Sequence, residues 1–215
     1  MTRFHIAILA VLALSLGSCV ETRFESQLGD NIQTCDARWK GLWIGSDADA
    51  DDDGAIFVDA ECRTFMLDQT EKLGPLKQIP LPINFVHDGR DDYLVIADNN
   101  LKGLVDLPAP YSIDPKPEKS FFFARYRFRG DRLELSEVNS NRVAALVIDE
   151  KLDGTVAKSA NELHVYVRGD RQRMLEIVRR QHIFVDKPST VLVRSKLDVA
   201  DYESALIKAQ RGKSK

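Results

Sequence analysis

The side chains able to do chemistry are few in this 215-residue chain, and the cysteines are the most telling of them. Cys19 closes Leu16-Gly17-Ser18-Cys19, directly behind an apolar run from Ile6 to Leu16 with Arg3 near its start. A basic start, a short apolar stretch and small residues at its end describe a secretory signal over residues 1–18. The run is too short to stay in a bilayer as a spanning helix. Export would place Cys35 and Cys62 in an oxidising compartment, where an even pair is most simply a disulfide. Closing that loop stabilises by about 3 kcal/mol in the chain-entropy picture. The chain has no Cys-x-x-Cys to suggest a redox couple instead.

The sharpest ligand pattern is Asp49-Ala50-Asp51-Asp52-Asp53-Gly54. Oxygens on Asp49, Asp51 and Asp53 with a glycine for the turn suit a hard cation such as calcium. Position twelve is Ala60, however, with Glu61 one residue late, so the bidentate ligand is missing. A calcium loop and a solvated acidic turn between strands are both open readings, and no other cofactor is expected. His87, His164 and His182 show no ligand spacing and are expected at the surface or in packing. No nucleophile elbow, His-Glu-x-x-His, phosphate loop or Ser-x-x-Lys occurs. Arg129-Gly130-Asp131 and Arg168-Gly169-Asp170 spell an adhesion tripeptide, but the spacing makes the first a hairpin turn and the second a helix cap. Arg125, Arg127 and Arg129 fall on one strand face, either solvated or available to an anion or an acidic edge. Catalytic residues are not assigned, and nucleic acid is not an expected partner.

These residues need elements to position them. Residues 19–34 read as a polar tether, and 35–196 as one α+β domain, mainly antiparallel sheet, partly closing into a barrel on one reading. Trp39 to Ile44 carries alternating bulky residues, and Ala55–Val58 and Thr64–Leu67 follow as short strands. Pro80 and Pro82 confine 79–85 to a sheet edge or a non-strand, and Tyr93–Ala97 is a clear strand. Residues 106–119, with four prolines, form a surface loop. Ser120–Phe128 alternates an apolar face with the arginines, and Gly130-Asp131 suits a type II′ hairpin turn. That register sets Arg127 against Glu134 and Arg129 against Arg132. Two late helices follow, capped by Asn139 or Ser140 and by Asp170. Leu163–Val167, Ile183–Val185 and Thr190–Arg194 look like closing strands, and the basic tail 197–215 suits a short helix. Charge is uneven: residues 20–167 carry 17 Lys/Arg against 27 Asp/Glu, while 168–215 carry 12 against 6. Either a basic face serves a polyanion or the two parts neutralise each other in the fold.

Three resemblances extend this reading. Leu16-Gly17-Ser18-Cys19 resembles a bacterial lipobox, which implies acylation of Cys19 and a chain anchored in the cell envelope. Val20 after the cysteine resembles the outer-membrane sorting preference, with the domain facing the periplasm. Trp39-x-Gly41-x-Trp43 resembles the Gly-x-Trp opening of lipocalins. In that family the tryptophan packs against a late arginine, here Arg194, and the barrel carries a small apolar ligand. The C-terminal two-thirds of the chain looks like a recurring type of uncharacterised bacterial envelope lipoprotein. The marks are that Trp motif, Phe123-Ala124-Arg125-Tyr126, Gly130-Asp131-Arg132-Leu133, and Gly169-Asp170 opening a helix before Phe184. The expectation is a lipid-anchored, non-enzymatic protein that binds an unidentified envelope partner or helps maintain the cell envelope; the alternative is the carrier of a small apolar ligand.

Overall fold

The computed structural model describes residues 19–30, 32–33, 35–46, 55–71, 73–102, 104, 113, 115–159 and 162–213. Strand β1 (Cys19–Phe24) and the two-residue β2 (Ile32–Gln33) lead into a 3-10 turn over Ala37–Trp39. A first meander runs through β3 (Gly41–Gly45), β4 (Ala55–Val58), β5 (Thr64–Asp68) and β6 (Lys77–Pro80). A second runs through β7 (Asn84–Asp88), β8 (Asp91–Ala97), β9 (Phe121–Arg129) and β10 (Arg132–Glu137), with the short helix α1 (Asp98–Leu101) after β8. Helix α2 (Ser140–Ile148), the hairpin β11 (Gly154–Lys158) and β12 (Glu162–Val167), helix α3 (Arg171–Arg180), β13 (Thr190–Arg194) and helix α4 (Val199–Lys213) complete the chain. The fold is α+β, with one large, mostly antiparallel sheet.

β13 joins the two meanders, pairing antiparallel with β10 on one side and β3 on the other. The resulting order β7-β8-β9-β10-β13-β3-β4-β5-β6 curls around a core where Trp39, Trp43, Phe85, Tyr126, Leu133 and Leu192 meet. No ladder links β6 to β7 among the described residues, so the curl stays open. Pro80 is tolerated there because β6 is an edge and its outer side needs no donors.

A second core lies beside the first. Phe24, Leu28, Val143, Val165, Met174 and Ile177 bring β1, β12, α2 and α3 together. β9 is the shared wall, with Phe122, Ala124 and Tyr126 on one face and Phe123 on the other, all buried. That double burial explains why its first half is aromatic on both sides, while only its far half shows the polar alternation of a one-sided strand. The turn is as expected: Gly130 has φ +60, Asp131 is not among the positive-φ residues, and Arg127 sits opposite Glu134. Both helix caps form, with the Asn139 side-chain Oδ1 accepting from Arg142 N at 3.0 Å and the Asp170 carboxylate from Arg173 N at 2.8 Å.

Three sequence expectations need correction. Residues 19–34 are not a tether: 19–24 pair in parallel register with Glu162–Val167 and bury Thr22, Arg23 and Phe24, Leu28 is fully buried, and Ile32–Gln33 pair with β7. The physical reason is that Thr22 and Phe24 face the helices while Glu21 and Arg23 find charged partners on the opposite face. Residues 183–185 make only one bridge, Val138 to Phe184, rather than a strand. The tail helix is fifteen residues long and docked, with Leu206 buried and Gln210 donating to Gln69 at 2.6 Å. No described helix is long and apolar enough to cross a membrane.

Candidate functional site

The alternation of β1 sends Glu21 and Arg23 to the side away from α2 and α3, and the parallel ladder sets Glu21 beside His164 of β12. Glu21 Oε1 lies 2.9 Å from His164 Nδ1 and 3.1 Å from an Arg23 guanidinium nitrogen. Arg23 reaches on to the Asp98 carboxylate at 3.5 Å and lies over the Phe122 ring, 5.4 Å from its centroid. Ser120 Oγ donates to the same Asp98 oxygen at 2.9 Å. Arg23 is 2% and His164 1% exposed. This is a closed network of two carboxylates, a guanidinium, an imidazole and a hydroxyl.

Burial raises the Glu21 carboxyl above the ordinary carboxylate range, and Arg23 and His164 pull in the opposite direction. A carboxyl with a raised pKa against an imidazole could shuttle a proton. Yet His164 Nε2 is buried without a hydrogen-bond partner, its nearest charge being Glu162 at 3.7 Å. No substrate atom can reach an imidazole so enclosed, so the network's chemistry in this conformation is electrostatic fastening of β1 to β12. Just past β1, Glu25 accepts from Lys119 Nζ at 2.8 Å and from Gly169 N at 2.9 Å, which holds its carboxyl low. A shallow cavity of about 370 Å³ opens beside it, lined among others by Lys116, Tyr166 and Arg168.

The sequence-predicted residues are scattered about this fold. Cys19 opens β1. Cys35 and Cys62 form a disulfide, with Cα atoms 5.6 Å apart. Asp49, Asp51 and Asp53 lie outside the described residues, and no group of three metal-capable side chains occurs among the described ones. Most of the 106–119 loop also lies outside them. His87 bonds Asp92 at the surface, the exposed His182 contributes its carbonyl to Arg142, and His164 bonds Glu21, so the three histidines have separate partners. The arginine stripe is present, but its pairing differs from the expected one: Arg127 bonds Asp91 at 2.8 Å, and Glu134 pairs diagonally with Arg129 at 3.3 Å.

Trp43 and Arg194 do meet. The guanidinium lies over the indole, 4.5 Å from its ring centroid, and donates to the carbonyls of Arg38 and Lys40 in the preceding 3-10 turn. Gly41 explains its own place in the motif: its φ is +115, and an added Cβ would stand 3.1 Å from an Arg194 nitrogen. Trp43 Nε1 donates to Trp39 O at 2.7 Å, and Trp39 fills the middle of the curl against Phe85, Tyr126 and Phe128.

Glu21, Arg23 and Asp98 were not anticipated as partners. A signal was available, since Val20, Thr22 and Phe24 alternate with Glu21, Arg23 and Glu25. His164 between Glu162 and Tyr166 repeats the pattern in the partner strand. No protein family, curated protein or solved structure matches this chain.

Proposed function

We propose that this is an exported bacterial envelope protein, anchored by lipid on Cys19 in the outer membrane and facing the periplasm, whose domain binds a protein partner rather than turning over substrate. The observation that carries export is the Cys35–Cys62 disulfide, because such bridges persist in oxidising compartments. It stands in the same chain as an apolar run ending in Leu16-Gly17-Ser18-Cys19. The binding role is supported by how the described interior is used. The densest titratable cluster is paired within itself, and the curl is filled by aromatic side chains. The test is expression of the full chain with and without Cys19→Ser. Wild type should sediment with membranes and show an acylated N-terminal cysteine by intact mass, and the variant should be released. Equal sedimentation of the two would end the anchoring proposal.

One observation favours the lipocalin-like carrier as a second reading, namely Arg194 stacked on Trp43 and bonded to the turn before it. An apolar ligand inside the curl would have to displace Trp39, which is 1% exposed. Saturable quenching of tryptophan fluorescence by a fatty acid would support it, and a flat titration would remove it.

A further inference from the structure

We propose that the groove between β9, β10 and the 186–188 segment binds a small oxyanion, a carboxylate or phosphate group, through Arg125 and Ser136. The groove holds about 260 Å³ and is lined by Arg125, Arg127, Arg129, Glu134, Ser136 and Asp186, with Pro188 as an apolar wall. Most of its charges cancel in pairs. Arg127 meets Asp91, Arg129 meets Glu134, and Asp186 meets Arg142 of α2 at 3.4 Å. Arg125 differs from its neighbours, since no described carboxylate lies within ion-pair distance of it. The guanidinium is half-buried, 5.4 Å from the Phe184 ring centroid, with one weak donation to Val185 O at 3.5 Å.

A cation drawn partly out of water without a counter-ion is costly, and an oxyanion seated on it offsets that cost. The guanidinium fork matches carboxylate and phosphate geometry. Ser136 stands directly opposite Arg125 in the β9–β10 ladder, close enough for one ligand to touch both side chains. Its hydroxyl supplies a neutral donor beside the cation. The ladders on either side hold the Arg125 backbone, and the Phe184 ring lies beside its guanidinium. The ion pairs around the rim bring no net charge of their own, which makes Arg125 the seat of the site. This inference does not depend on lipid at Cys19.

The experiment follows the arginine Nε–Hε signals of the full chain in neutral detergent. Sodium phosphate and sodium acetate are titrated in turn, with sodium chloride at matched ionic strength as the control. Arg125 should shift saturably with phosphate, acetate or both, and not with chloride. The tighter of the two anions says whether phosphate esters or carboxylates are the natural ligand class. Ser136→Ala should keep the fold and weaken the apparent affinity about fivefold, the weight of one neutral hydrogen bond. Arg125→Gln should abolish the saturable shift of neighbouring backbone amides. No saturable shift with either anion would overturn the proposal. Equal shifts at Arg125, Arg127 and Arg129 that track ionic strength alone, or unchanged affinity in Ser136→Ala, would do the same.

Discussion

His164 shows what a buried ionisable side chain does when its partners are built in. Glu21 and Arg23 compensate one another and the imidazole together, so deleting one member strands the others in a poorly hydrated place. His164→Ala should lower stability by about 3 kcal/mol in urea unfolding, whereas His182→Ala at the surface should stay within about 0.5 kcal/mol of wild type. Glu137 is the opposite case, a half-buried carboxyl raised by burial alone. Its folded form binds the proton more tightly than the unfolded chain does. Stability therefore falls as pH rises from the ordinary carboxylate range through the raised value, and stays lower above it. Glu137→Gln should melt above wild type at pH 7, and the two should converge near pH 4; a constant gap across that range would refute the assignment. The Trp43–Arg194 contact was the most legible part of the site, because Gly41, Trp43 and Arg194 are constrained by one another. The Glu21–His164 contact joins residues 143 apart, and nothing local in either segment names the other.

At the scale of elements, the hairpin, the two capped helices and most antiparallel strands follow from local patterns. They rest on short-range signals: a glycine with positive φ, an Asn or Asp cap, a period of two or of 3.6. β1 lies in a polar segment with few apolar anchors, although the alternation of its charges with Thr22 and Phe24 is that of a strand. What makes it a strand is a parallel neighbour 143 residues away, which local sequence does not specify. Phe24→Ala is therefore informative. A tether residue could be truncated at no cost, whereas Phe24, fully buried and stacked 4.0 Å from Phe123, should cost about 3–5 kcal/mol in equilibrium unfolding. The disulfide acts between elements. It ties the segment before the 3-10 turn to the β4–β5 turn, where Cys62 sits at φ +65. Cys35→Ala with Cys62→Ala should lose about 3 kcal/mol, and wild type under a strong reductant should match the double variant.

For the whole molecule, the uneven charge along the chain is resolved in part by contact. Arg179 pairs with Asp88 and Arg171 with Asp30, so basic late segments meet acidic early ones in the fold. Neutralisation between the two parts is thus the better account of the imbalance, and the basic tail helix remains docked on the domain. The position of β1 also sets what anchoring at Cys19 would mean. Cys19 stands opposite Glu162 at one end of the β1–β12 ladder, and Phe24 stands opposite Val167 at the other. Acylation at Cys19 would leave no free linker, and would hold the end of the sheet where Cys19 pairs with Glu162 next to the bilayer. Lys158, paired with Leu163, lies at that end, while Lys151 lies just before Gly154, which pairs with Val167. Five residues of strand separate the two ends by roughly 15–20 Å. Nitroxide labels at Lys158 and Lys151, both exposed, should report this difference in the lipidated protein on vesicles. A lipid-soluble relaxation agent should broaden the label at 158 more than that at 151. Equal broadening at both would mean that the first residues of β1 peel away from β12 at the membrane, which would make the tether something that forms on anchoring rather than a feature of the free fold.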